Sequence, residues 1–215
     1  MLWRKKCDRY VMRPFPDQDR LFTALAALYA DMPALAAFAP LPSDMQPQPF
    51  APHHRDASEA FQNDAGLLHS AGFGAITSLL MQNAQRLHWR EVYTPSNQSH
   101  QEISTAFMAR LGCTALIGDR APFCSEQLHL FVVYMPAGLI YPWHRHLAEE
   151  LYLILAGEAV FCRTNHADIT AKEGDIILHE SQQPHMMYTT TKPMLSLAVW
   201  RNHLSQPAQL MPAPY

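Results

Sequence analysis

Three residues within a short stretch of the chain belong to types that bind divalent metals. His144 and His146 are two positions apart, and Glu150 follows four positions later. Because successive side chains of a β-strand point to opposite faces, a strand would direct both histidines to the same side. Two imidazoles and a carboxylate in one cavity suit one divalent metal ion, such as Zn, Fe, Mn, Co or Ni, and leave coordination positions open for a substrate. We expect a fourth ligand at His185, where a new apolar run begins.

The remaining histidines of the chain do not share this spacing, although the total of 12 is high for 215 residues. We expect His88 and His129 to be packed or hydrogen-bonded, and the pattern assigns no role to His179. The six that we expect to be solvated are His53, His54, His69, His100, His166 and His203.

The elements that must position this cluster lie in the second part of the chain, residues 112–215. Short runs rich in Val, Ile, Leu, Phe and Tyr alternate there with Gly, Pro, Asn and Asp, which predicts an antiparallel all-β unit. The runs are Gln127–Met135, Glu150–Leu155, Glu158–Arg163, Asp175–Leu178, His185–Thr190 and Leu195–Trp200. We therefore predict a mainly β protein with a β-barrel around the metal site.

The first 111 residues are expected to be a helical region that packs on one wall of this barrel. Asp17 can cap a first helix, which Pro33 weakens as it continues. Its apolar face consists of Leu21, Ala24, Leu25 and Leu28. Five prolines between residues 40 and 52 exclude regular structure there and indicate a connector.

Two further helical stretches follow the connector. The periodicity of residues 58–87 predicts one or two helices, with a break at Gly72 and Gly74. Residues 101–111 predict another, which Gly112 closes because glycine suits a left-handed C-terminal cap.

Charge and composition exclude several function classes. The net charge of −3, with no basic cluster longer than three residues, gives no reason to expect a nucleic acid or a membrane surface as a partner. No run approaches the roughly 20 apolar residues of a membrane span, and the N-terminus lacks the apolar core of a signal peptide. The cysteines are far apart, which predicts free thiols and a cytoplasmic location. They are Cys7, Cys113, Cys124 and Cys162. We expect a small-molecule substrate, and the sequence leaves a homodimer open.

Two segments resemble the motifs of the cupin family. Gly138–Gly157 is similar to the first motif: glycine, five residues, H-x-H, three residues, glutamate, six residues and glycine. Gly174–His185 resembles the second motif, with Glu180 and Gln182 in place of its proline and glycine and Thr189 in place of its asparagine. The resemblance implies a cupin β-barrel, a jelly roll also described as a double-stranded β-helix, with a helical region before it.

A narrower resemblance, to the bacterial cupin-type dimethylsulfoniopropionate lyases, covers roughly residues 87–200. It depends on Tyr141 and Tyr152 around the metal-binding motif and on two upstream segments, Trp89–Thr94 and Leu116–Gly118. The family resemblance implies β-elimination of dimethylsulfoniopropionate to dimethyl sulfide and acrylate. It also implies Tyr152 as the base that removes the α-proton, with Tyr141 assisting proton transfer or orienting the carboxylate.

The cationic sulfonium group of such a substrate would favour aromatic faces. The candidate aromatic residues for binding it are Trp143, Tyr188 and Trp200. Two other functions remain open on the sequence alone: a cupin dioxygenase or isomerase acting on a small organic acid, and a ligand-binding cupin without catalysis.

Overall fold

The computed structural model describes residues 14–93 and 105–214, and most of residues 14–93 are helical. Cys7, Thr94 and the first four residues of the helix predicted at 101–111 lie outside these ranges. The helices are α1 (Gln18–Asp31), α2 (Pro33–Phe38), α3 (Asp56–Asn63), α4 (Gly74–Gln82) and α5 (Thr105–Arg110). Two short 3-10 helices, Ala65–Leu67 and Ala84–Arg86, accompany them. None of the helices in the described ranges combines the length and apolar character needed to cross a membrane.

The first helix confirms the periodicity of its sequence. Leu21, Leu25 and Leu28 are buried on one face, and α2 begins at Pro33 after a break at Met32. Proline is favoured at the first position of a helix, because its missing N–H would have no partner there. Asp17 lies at the N-terminal cap but makes no capping hydrogen bond through its side chain.

The described ranges contain eleven strands, most of them after residue 111, which confirms the mainly β class. They are β1 (Gln46–Pro47), β2 (Gly112–Ile117), β3 (Phe123–Cys124), β4 (Leu128–Met135), β5 (Ile140–Arg145), β6 (Glu149–Arg163), β7 (Ile169–Lys172), β8 (Ile176–His179), β9 (His185–Tyr188), β10 (Met194–Arg201) and β11 (Gln209–Leu210). Their order across the sheet is β1-β3-β2-β4-β10-β6-β9-β5-β11, with β7 and β8 also paired to β6. All pairings are antiparallel except that of β2 with β3.

Strand β6 joins the two walls of the cupin barrel. Its first half, up to Gly157, pairs with β10 and β8, and its second half pairs with β7 and β9. Gly157 has a φ of +73°, in the left-handed region that favours glycine. The sequence predicts two strands here, but the chain continues through Gly157 as one, because the glycine turns the strand without ending it.

The helices pack on one face of the sheet, and the other face of the sheet lines the barrel interior. Along β4, Leu130 and Val132 pack in the cluster that contains the helices, whereas Phe131 and Val133 pack in the interior cluster. Leu151 and Tyr152 of β6 divide in the same way. Because both faces are buried, these strands are nearly continuous apolar runs, and their period of two is masked.

Two predictions for the first part of the chain are wrong. The proline-rich connector contains β1, since Gln46 and Pro47 pair with β3 at the edge of the sheet, where proline is tolerated. Gly112 is not a left-handed cap. It is the first residue of β2, and a Cβ there would lie 2.8 Å from the Trp89 ring, so close packing explains the glycine.

Candidate metal centre

The four residues predicted as metal ligands come together at one end of the barrel interior. His144 lies on β5, His146 just after it, Glu150 on β6 and His185 on β9, and each is at most 3% exposed. His144 and His185 are cross-strand partners with ring centroids 4.1 Å apart. Glu150 Oε2 lies 3.1 Å from His146 Nε2 and 3.4 Å from His185 Nε2. The ligand atoms of the three histidines all lie within 4.8 Å of one another.

Backbone carbonyl groups fix the orientation of all three imidazoles. Each ring donates its Nδ1–H to a carbonyl oxygen at 2.8 Å, which leaves Nε2 of each ring directed to the centre. The acceptors for His144, His146 and His185 are, in that order, Pro142, Ala148 and Gln183. In each case the acceptor is two residues away in sequence, so the local chain path orients the ligand.

Electrostatics favour the metal-binding protonation state at two of the four predicted ligands, Glu150 and His144. Burial raises the pKa of Glu150, but the charge and hydrogen bond of His146 outweigh it and hold the pKa well below its usual value. Burial, together with the charges of His185 and His146, lowers the pKa of His144 well below its usual value. Glu150 is therefore ionised and His144 neutral near pH 7, which are the protonation states that a metal requires. His146 differs: burial lowers its pKa, but the charge and hydrogen bond of Glu150 outweigh burial and raise it, so a metal ion would have to displace a proton from this ring.

The residues present fit a divalent metal. Within the described ranges, Nε2 of His185 is buried and has no hydrogen-bond partner. A buried polar atom without a partner is uncommon in folded proteins, and a metal ion would satisfy it. Three imidazoles and one carboxylate form a donor set that Zn, Fe, Mn, Co and Ni all accept.

A cavity of about 430 Å³ opens beside the cluster, and both candidate catalytic tyrosines line it. Tyr152 lies two residues beyond Glu150 on the same face of β6, and Tyr141 stacks on His144 with ring centroids 4.2 Å apart. The Tyr93 hydroxyl donates a hydrogen bond to the Tyr141 hydroxyl oxygen, with the two oxygens 3.1 Å apart. Burial raises the pKa of both Tyr141 and Tyr152 well above the usual value.

Only one of the three aromatic candidates for the sulfonium group lines this cavity. Trp200 does so, and its Nε1–H donates to Glu150 Oε1 at 2.6 Å while its ring lies 4.4 Å from that of His146. Trp143 and Tyr188 do not line the cavity. Tyr188 follows the buried Met187 of β9, so alternation directs it to the opposite side. Trp143 lies within the irregularity of β5 between Tyr141 and His144, which brings both of those residues, but not Trp143, to the cavity.

The sequence prediction left out two residues at the site. His179 is 2% exposed and stacks on His185 with ring centroids 3.9 Å apart. The period of two could have found it, because the buried Ile177 of the same strand implies that residue 179 also faces inward. Arg90 lines the cavity near Phe131, with its guanidinium carbon 5.3 Å from that ring centroid.

Comparison with known proteins places these features in a family. Residues 43–196 match the family model described as dimethylsulfoniopropionate lyase. The chain is 38% identical over 189 residues to dimethylsulfoniopropionate lyase DddQ of Ruegeria pomeroyi, which covers 88% of this chain and 91% of that protein.

Two solved structures are similar over most of the chain. The crystal structure of DddQ from Ruegeria pomeroyi matches with a TM-score of 0.84 and 36% identity, covering 91% of this chain and 96% of the other. A chain from the crystal structures of the lyases RdDddP and RnDddQII matches with a TM-score of 0.80 and 29% identity, covering 91% and 97%.

Proposed function

Because the chain belongs to the dimethylsulfoniopropionate lyase family, we propose that it cleaves dimethylsulfoniopropionate to dimethyl sulfide and acrylate by β-elimination. One observation carries the proposal: a buried cluster of metal-binding side chains and two buried tyrosines share one cavity. A β-elimination on a carboxylate substrate needs a cation for the carboxylate and a base for the neighbouring carbon, and both can be supplied here.

The cation is proposed to be one divalent metal, such as Zn, Fe, Mn, Co or Ni, held by His144, His146, Glu150 and His185. A metal bound there supplies a Lewis acid for the substrate carboxylate and a positive charge that lowers the pKa of a neighbouring hydroxyl. Trp200 holds Glu150 in place through its 2.6 Å hydrogen bond, so that the other carboxylate oxygen faces the histidines.

Tyr152 is proposed as the base. Burial raises the pKa of its hydroxyl, and the negative charge of Glu150 raises it further, so Tyr152 depends on a nearby cation to ionise. Its oxygen removes the proton from the α-carbon of the substrate. The electron pair of that C–H bond forms the carbon–carbon double bond, and the electrons of the C–S bond leave with sulfur as neutral dimethyl sulfide. No acid is needed for the leaving group.

Tyr141 is proposed to orient the substrate carboxylate or to assist proton transfer. Its hydroxyl accepts a hydrogen bond from Tyr93, and its ring is fixed by stacking on His144. The ring of Trp200, which packs edge-to-face with Phe131 at 5.5 Å, offers an aromatic surface for the cationic sulfonium group.

Headspace dimethyl sulfide tests the reaction. We expect the purified chain to release it from dimethylsulfoniopropionate with at least one of Zn, Fe, Mn, Co and Ni, and a chelator to stop the release. Release that is equally fast with the chelator would contradict metal dependence. No release with any metal would remove the proposed function while leaving the barrel and its histidine cluster in place.

The variant Tyr152→Phe tests the base. Removing a general base typically costs between about 100-fold and 10,000-fold in rate, so we expect turnover to fall in that range while the metal content stays unchanged. Tyr188→Phe is the matched control, because it removes a hydroxyl from the barrel outside the cavity and should leave the rate unaltered. Retained turnover in Tyr152→Phe would eliminate Tyr152 as the base.

The cytoplasmic location, the homodimer and the exclusion of nucleic acids and membranes as partners stay predictions. Of the four cysteines, the three in the described ranges are Cys113, Cys124 and Cys162, and all three have free thiols.

A further inference from the structure

A fifth side chain of a metal-binding type lies directly against the candidate metal centre. His179 is the last residue of β8, and the strand register places it opposite Glu150 of β6. Its ring stacks on that of His185, with an interplanar angle of 15°, and meets Tyr152 edge-on at 5.7 Å. His179 therefore contacts the cluster at Glu150 and His185. It does not line the cavity, which lies against His144, His146 and Glu150.

The hydrogen-bonding groups of His179 are unsatisfied within the described part of the chain. The residue is 2% exposed, and neither Nδ1 nor Nε2 has a hydrogen-bond partner there. His144, His146 and His185 differ, because each donates its Nδ1–H to a backbone carbonyl. An imidazole that is buried without partners costs folding free energy, so a histidine in this place needs a reason other than packing.

The ligand atoms form two overlapping groups of three. The nitrogens of His144, His146 and His185 lie within 4.8 Å of one another, and so do the ligand atoms of Glu150, His179 and His185. All the residues of both groups are buried. His185 is the one residue common to both groups, so the two groups cannot be filled independently.

We propose that His179 is a fifth metal-binding side chain, which forms with Glu150 and His185 an inner position for a divalent transition metal ion. The outer position, made by His144, His146 and His185 with Glu150 as the fourth ligand proposed above, faces the cavity. Because the positions share His185, they are alternatives for a single ion. Two imidazoles and a carboxylate are a sufficient protein ligand set for such an ion. This inference rests on the proposed metal centre but not on the lyase reaction.

Metal binding by the purified full chain tests the proposal without reference to turnover. The probes are Co²⁺, whose visible absorption depends on the number and type of its ligands, and Zn²⁺ in competition with a chromogenic chelator. His179→Phe keeps an aromatic ring to stack on His185 and removes both nitrogens. We expect it to weaken Zn²⁺ affinity by at least about 10-fold and to alter the Co²⁺ spectrum.

His129→Phe is the matched control. His129 also lines the cavity, but it belongs to neither group of ligand atoms. We expect this variant to bind Zn²⁺ as the unmodified chain does and to give the same Co²⁺ spectrum. If His179→Phe behaves like His129→Phe in both measurements, the proposal is overturned.

The double variant His144→Ala, His146→Ala isolates the inner position and protects the test against a folding defect in His179→Phe. We expect it to retain binding of one Co²⁺ ion, and we expect adding His179→Phe to weaken that binding by at least about 10-fold. A double variant that binds no Co²⁺, while its circular dichroism spectrum matches that of the unmodified chain, would overturn the proposal. In the unmodified chain, Co²⁺ binding without any dimethyl sulfide release would count against the lyase alone.

Discussion

At the scale of single residues, the candidate metal centre depends on side chains that hold its ligands in place. Trp200 donates its Nε1–H to Glu150 Oε1 at 2.6 Å, and its ring lies 4.4 Å from that of His146. The variant Trp200→Phe keeps an aromatic ring but removes the donor, so Glu150 loses one of the contacts that orient it. Loss of such an outer contact typically weakens metal binding between about 10-fold and 100-fold. We expect a decrease of that size in Zn²⁺ affinity, measured by competition with a chelator.

A second tryptophan provides the control for this change. Trp143 lies next to His144 in sequence but outside the cavity, so Trp143→Phe should leave Zn²⁺ affinity unchanged. Equal affinities for the unmodified chain and Trp200→Phe would mean that the hydrogen bond to Glu150 contributes nothing to metal binding.

The same residues show how far sequence reasoning reaches at this scale. Spacing and the period of two were sufficient to expect His144, His146 and Glu150 in one place, because these rules depend only on the local chain. They do not separate Trp200 from Trp143 and Tyr188, because aromatic character alone does not indicate which face of a strand a side chain occupies. The contact between His179 and His185 joins two strands, so no spacing within one segment could reveal it.

At the scale of elements, the barrel depends on the turn within β6. Gly157 has a φ of +73°, and a Cβ at this position would overlap the carbonyl oxygen of Pro193. Gly157→Ala therefore combines left-handed backbone strain, worth about 1–2 kcal/mol, with a clash against backbone, worth about 1–3 kcal/mol. We expect the free energy of unfolding to fall by about 3 kcal/mol or more, measured by urea denaturation.

A second glycine separates these two causes. Gly138 has a φ of +68°, but a Cβ there would meet open space. We expect Gly138→Ala to lower the free energy of unfolding by only about 1–2 kcal/mol, the cost of the left-handed conformation alone. If both variants lose the same amount, the contact with Pro193 is not what requires glycine at 157.

The strand boundaries that sequence reasoning missed have physical reasons of their own. Strand β2 reads as a continuous apolar run after a predicted helix, and all six of its residues are buried, so it has no alternation to detect. Strands β3 and β11 are two residues long, and pairing with distant segments, β1 for β3 and β5 for β11, defines them. Helix α1 was predictable because one buried face and one exposed face give it a clear period.

At the scale of the whole molecule, the helical region and the barrel share one hydrophobic core. The cluster contains Leu25 and Phe61 from the helices together with Val132 and Leu153 from the sheet. Phe61 of α3 is fully buried and packs 5.4 Å from the ring of Trp89 and 5.4 Å from that of Tyr134 on β4. Neither region can lose its structure without exposing the apolar face of the other, so we propose that the helices and the barrel unfold as one unit.

The variant Phe61→Ala tests this coupling. Truncating a buried phenylalanine typically costs about 3–5 kcal/mol, and we expect a loss of that size in the free energy of unfolding. Because the two regions share a core, two signals should give the same denaturation midpoint: far-ultraviolet circular dichroism, which follows the helices, and tryptophan fluorescence, to which Trp143 and Trp200 in the barrel contribute together with Trp89 beside Phe61. Phe22→Ala, at a side chain that is 45% exposed on α1, should cost less than about 1 kcal/mol. A helical signal that disappears at a lower urea concentration than the fluorescence change would mean that the helices are a separate folding unit.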